Sequence, residues 1–175
     1  MGNGGPRNFS NAFLPTVFQG TAVGRAGITA KDATIKNLYH PSMKIEDQGK
    51  YLDFLRSLNA EQSGKSQADK DYEATLNSFE LGWRMQNFAP EVLDLSRETK
   101  STLDDYGIGN ATTDNYGRLC LMARRLAEAD VRYIQVNYGD NTNNPAWDQH
   151  SNLPKHADHA KAVDKPIAAL LGDLK

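Results

Sequence analysis

The feature that most constrains this chain is the run Val131 to Tyr138. Val131, Tyr133, Ile134, Val136 and Tyr138 crowd β-branched and aromatic side chains into eight residues, which predicts a β-strand. A lone strand cannot pair its own backbone donors and acceptors, so its neighbours must come from elsewhere. Within the sequence only residues 16–20 offer even a weak candidate. Residues 113–175 read as helix, strand, loop, helix, which is half of an α/β repeat. The expected fold class is therefore α/β, mostly helical here with few strands, and the chain reads as an unfinished piece of a larger sheet.

Helical periodicity dominates the middle of the chain. Tyr51, Leu55 and Leu58 mark a helix over 46–61, followed by a polar break at 63–66. Tyr72, Leu76, Phe79 and Trp83 recur at i, i+4, i+7 and i+11 and predict an amphipathic helix over 68–88, stopped by Pro90. A short turn at 91–95 follows, and Ser96 is placed to cap a helix running from 97 to 106 that ends at Gly107. The next helix, 113–129, carries Leu119, Met122 and Leu126, with Arg118, Arg124 and Arg125 read as its solvated face. The last helix shows a stripe of Val163, Ile167, Leu170 and Leu174. Pro166 either kinks it or marks its first turn. Residues 1–45 have no sustained period. The organisation expected is thus an irregular segment over 1–45, a mainly helical part over 46–130, and strand, loop and helix over 131–175.

Twenty basic and 22 acidic side chains spread along the chain leave a net charge of −2 and no basic tract of the kind nucleic acids require. The longest apolar stretch, 167–171, is too short to span a bilayer. A single cysteine, Cys120, rules out an internal disulfide framework and a cysteine-only zinc site. Its apolar neighbours Leu119 and Leu121 suggest a buried, inert thiol.

Chemical content gathers after the strand. Trp147, Asp148, Gln149 and His150 are followed by His156, His159 and Asp164, so three of the four histidines fall within ten residues. Sites in open α/β sheets lie where strands end. Carboxylate and imidazole together suit zinc, manganese and related ions. Asp148 and His150 can face one ion from a loop, and His156, a turn into the next helix, can approach the same space, which makes these three the candidate metal ligands. The competing reading is that these are helix caps and surface polar groups, with Trp147 as a packing anchor. No Walker loop, no nucleophile elbow and no dinucleotide fingerprint is present, and no serine or cysteine has a visible base partner.

Segments 13–21, 72–86, 90–91, 94–96, 116–126, 131–136, 147–150 and 164–170, taken together and in order, resemble the bacterial family labelled domain of unknown function 1501. Many of its members carry a sulfatase-like label, and the family is similar to the alkaline phosphatase superfamily. The resemblance implies a partial alkaline-phosphatase-like fold and a metal-dependent hydrolase of sulfate or phosphate esters. It implies a divalent metal (zinc, manganese or calcium), with Asp148 and His150 as the ligand pair and His156 and Asp164 at matching positions. The superfamily's usual pair is more widely spaced than Asp-x-His. The resemblance also implies a periplasmic or exported parent, with the remainder of its domain as the fragment's partner. It further implies an inactive fragment, since the nucleophile and the other ligands have no counterpart here. The alternative is a non-catalytic envelope module for binding or assembly.

Overall fold

A computed structural model describes residues 9–15, 18–24, 28–62, 67–139 and 146–175. The expected break at 63–66, residues 16–17 of the weak strand candidate and part of the loop after Tyr138 lie outside these residues. The helices are α1 (Ile45–Gln62), α2 (Gln67–Leu93), α3 (Lys100–Asp105), α4 (Asp114–Glu128) and α5 (Lys155–Asp173), with 3-10 turns at Ala30–Asp32 and Leu95–Arg97. No helix among the described residues is long and apolar enough to cross a membrane.

The expectation of an α/β fold is overturned: no β-sheet is present among the described residues. The physical reason lies in residues 132–137, which make no backbone hydrogen bond to any other described segment. The composition is that of a strand, but a ladder needs a second chain segment alongside. What remains of the pattern is an alternation in burial, with Ile134, Val136 and Tyr138 half-buried and Tyr133 and Gln135 exposed.

The chain divides into two compact units. One contains Val23–Thr34 and Val92–Lys175 and holds the larger core. Leu95, Tyr106, Cys120, Leu121 and Met122 pack there with Ala30, and Leu93, Leu103, Ile108, Val136 and Leu170 close around them. α4 supplies the centre of this core because its apolar face is broad: Gly117, Cys120, Leu121, Met122 and Ala123 are all buried. α5 lies against α4 and buries His159, Ala162 and Pro166. That face is offset from the anticipated stripe, for Ile167 and Leu174 are exposed. Pro166 sits inside the helix with its ring fully buried.

The other unit contains Pro6–Ala22 and Ile35–Glu91. The Trp83 indole donates to the Ile45 carbonyl at 2.8 Å and lies over Gly49, while Gln48 and Gln86 exchange side-chain hydrogen bonds. Arg56 and Arg84 both pair with Glu80.

Two helix boundaries differ from expectation. α2 runs through Pro90 to Leu93, since one proline removes a single intrahelical bond, which packing can offset. The Val92 carbonyl in its last turn accepts from Arg125 Nε at 2.7 Å. Ser96 is not a helix cap. Its N–H donates to Asp94, which caps the 3-10 turn, and α3 begins three residues later with Thr99 as its cap. The arginines of α4 are not a solvated face either. Arg124 and Arg125 both donate to Glu98 Oε1, at 2.8 and 2.6 Å, and all three side chains are largely buried.

Candidate functional site

The loop after residue 145 is held by small and neutral groups. Ala146 and Gln149 are buried, and Gln149 Nε2 donates to the Ala146 carbonyl at 3.2 Å. With these two turned inward, the intervening Asp148 and the following His150 face solvent. Their side chains are 61% and 84% exposed, and His150 Nε2 contacts Asp148 Oδ1. The structure therefore brings this sequence-predicted pair together at the surface.

His156 is placed differently. Its Nδ1 lies 3.0 Å from the Leu153 carbonyl and its Nε2 3.0 Å from the Trp147 carbonyl, and its ring stacks on Trp147 with centroids 6.0 Å apart. A ring nitrogen that donates to a carbonyl has no lone pair left for a metal. His156 must give up one of these contacts before it can ligate, so in this arrangement it staples the loop to the start of α5. Asp164 is exposed on α5.

The side chain that sequence reasoning undervalued is His159. It is 6% exposed, its Nδ1 lies 2.8 Å from the Tyr138 hydroxyl, and its ring is flanked by Tyr138 and Trp147 at 5.7 and 5.6 Å. Its Nε2 is buried with no hydrogen-bond partner among the described residues. A buried polar atom left unpaired costs about 1–3 kcal/mol, so such atoms usually mark a missing water, ion or ligand. The sequence signal for it was the spacing His159, Ala162, Pro166, which is the buried face of α5. Tyr138 joins this group to α4 through an edge-on contact with Tyr116 at 5.3 Å and meets Trp147 at 5.6 Å. Trp147 itself is 47% exposed and forms the open side of the aromatic cluster.

The floor of the cluster is chemically quiet. Burial pushes the Cys120 thiol up to about 11, and burial, followed by the neighbouring Cys120, pushes the Tyr116 phenol up to about 12. Cys120 is buried, as anticipated, and its upward shift disfavours the reactive thiolate. A cavity of about 490 Å³ at the end of α3, lined by residues including Lys100, Asp104 and Lys165, shares no residue with this site.

No three His, Cys, Asp or Glu side chains converge as a metal site among the described residues. Two features bear on cation chemistry: a carboxylate and an imidazole in contact at Asp148 and His150, both ligand types for zinc or manganese, and a buried His159 nitrogen with no partner among the described residues.

A family model described as a protein of unknown function (DUF1501) matches residues 1–175. No curated protein and no solved structure matches the chain.

Proposed function

Starting from the fact that this chain belongs to the DUF1501 family of proteins of unknown function, we propose that it carries part of a divalent-cation site serving hydrolysis of sulfate or phosphate esters. The observation that carries the reading is the contact between Asp148 and His150 on an exposed loop directly before α5. One carboxylate oxygen and one imidazole nitrogen suit zinc or manganese, whereas calcium would draw on the carboxylate alone. When bound, such an ion stabilises negative charge on the ester oxygens. Asp148 and His150 would hold it, and the buried Ala146 and Gln149 keep the loop turned so that both face outward. No group among the described residues is assigned as nucleophile, so the reading expects cation binding without turnover by this chain. The proposed setting is an exported parent whose remaining domain completes the site.

A second reading, a non-catalytic binding or assembly module of the cell envelope, is favoured by Trp147. Half-exposed and stacked on His156, it is a ready platform for a partner's apolar or planar group.

Calorimetric titration with zinc and with manganese tests the first reading. Wild type is expected to bind with micromolar affinity, and the Asp148→Ala/His150→Ala pair to lose at least about tenfold, since loss of a residue that only supports a ligand already costs about 10–100-fold. Equal binding by both proteins, or none by either, would sink it.

A further inference from the structure

We propose that His159, through Nε2, is the buried imidazole ligand of this cation, and that Tyr138 is the positioning residue that orients it. The inference rests on the cation reading above and adds a third ligand to Asp148 and His150, His159 in place of the His156 that the sequence pointed to.

Three observations carry it. First, His159 Nε2 is a ring nitrogen enclosed by protein that has no hydrogen-bond partner among the described residues. Second, Nδ1 of the same ring is fixed by the Tyr138 hydroxyl at 2.8 Å. Metal-bound histidines characteristically have their other nitrogen held in this way, which sets both tautomer and ring orientation. A Tyr138 oxygen that accepts from Nδ1–H leaves the lone pair on Nε2, where a cation needs it. Third, the ring lies against the loop that carries the carboxylate. Its centroid is 5.6 Å from that of Trp147, the residue immediately before Asp148. His156, in contrast, has each ring nitrogen 3.0 Å from a backbone carbonyl oxygen.

In the structure Asp148 faces His150, and the three side chains do not yet converge. Cation binding therefore requires the exposed Asp148 carboxylate to turn toward the His159 ring. The aromatic neighbours Tyr138 and Trp147 exclude water around Nε2, which strengthens any charge–dipole contact made there.

The test combines zinc calorimetry on the full chain with the imidazole nitrogen-15 resonances of the wild-type protein. Zinc is expected to shift the His159 Nε2 resonance. His159→Ala and His159→Asn should each weaken zinc by about 10–100-fold, and Tyr138→Phe by about tenfold. Asparagine preserves an amide in the Nδ1 position, so it keeps a partner for Tyr138 if the alanine variant fails to fold. Unchanged zinc affinity in both His159 variants, with binding lost in Asp148→Ala, overturns this ligand assignment and leaves the cation reading standing. Lost affinity in the variants while zinc leaves the wild-type Nε2 resonance unmoved also overturns it, since His159 would then be structural. Absence of zinc binding by the wild type overturns both.

Discussion

Gly117 lies inside α4, where a Cβ would fall inside contact distance of the Tyr106 carbonyl oxygen and 3.3 Å from Ile108 Cγ1. Helix propensity alone favours alanine over glycine in a helix interior by about 0.5–1 kcal/mol. Here the close approach of backbone to backbone reverses that sign. Gly117→Ala is expected to lower stability by about 1–3 kcal/mol, the usual cost of overpacking, measured by urea unfolding. The opposite case stands at the other end of the same helix. Asp130 has φ of 62°, and its N–H and that of Val131 donate to the Ala127 and Leu126 carbonyls, both at 3.0 Å. This pair of bonds is a Schellman close, whose left-handed residue strains any side chain with a Cβ. Asp130→Gly should therefore raise stability by about 0.5–1 kcal/mol in the same unfolding experiment.

At the scale of elements, start signals separate what the sequence shows from what it hides. Asp94, Ser96 and Thr99 are all competent N-caps, and local pattern cannot rank them. The structure uses Asp94 for the 3-10 turn and Thr99 for α3, where the Thr99 side chain accepts from the Thr102 N–H. Thr99→Ala should cost about 1 kcal/mol and Ser96→Ala less than about 0.5 kcal/mol, by thermal melts of the two variants. Helix existence was legible because α1, α2, α4 and α5 each carry apolar residues at a 3.6-residue period. Which face of α5 turns inward was not. The stripes 163, 167, 170 and 159, 162, 166 are neighbours on the helix, and the second counts a histidine and a proline as core. Strand pairing was illegible for a different reason: residues 131–138 show the propensity, but pairing is a property of two segments. The site divides the same way. The contact between Asp148 and His150 was legible because loop neighbours in sequence are neighbours in space. The bond from Tyr138 to His159 spans 21 residues and leaves no local pattern.

At the scale of the molecule, the larger unit is tied together by charge as well as by its apolar core. Glu98 receives Arg124 and Arg125, Arg124 continues to Asp173 on α5 at 3.4 Å, and the Tyr106 hydroxyl donates to the same Asp173 oxygen at 2.8 Å. Removing the central carboxylate leaves two largely buried guanidinium groups short of a partner. Glu98→Gln should therefore cost about 2–3 kcal/mol by urea unfolding. The same residues set the pH limits of the fold. Burial works to raise the Glu98 carboxyl, but the hydrogen bonds from Arg125 and Arg124 outweigh it and hold the group below its ordinary value of 4.5. Asp114 is lowered from 3.8, first by its hydrogen bond from Arg118 and then by the Gly109 N–H. Depressed carboxylates contribute stability that is present above their unfolded values and lost as pH falls through the folded ones. Below about pH 4.5 the midpoint of unfolding should thus fall, and Glu98→Gln should flatten that decline. Cys120 and Tyr116 act on the alkaline side with the opposite sign. Each is raised, so each contributes stability fully present below its unfolded value, 9.0 for the thiol and 10.0 for the phenol. That stability is lost as pH rises toward about 11 and about 12, because the unfolded chain releases protons that the folded core retains. Thermal melts from pH 8 to 11 should show a declining midpoint in the wild type. Cys120→Ala, which removes the first of the two protons, should decline less steeply between pH 9 and 10, and parallel slopes for the two proteins there would mean that the thiol does not set this limit.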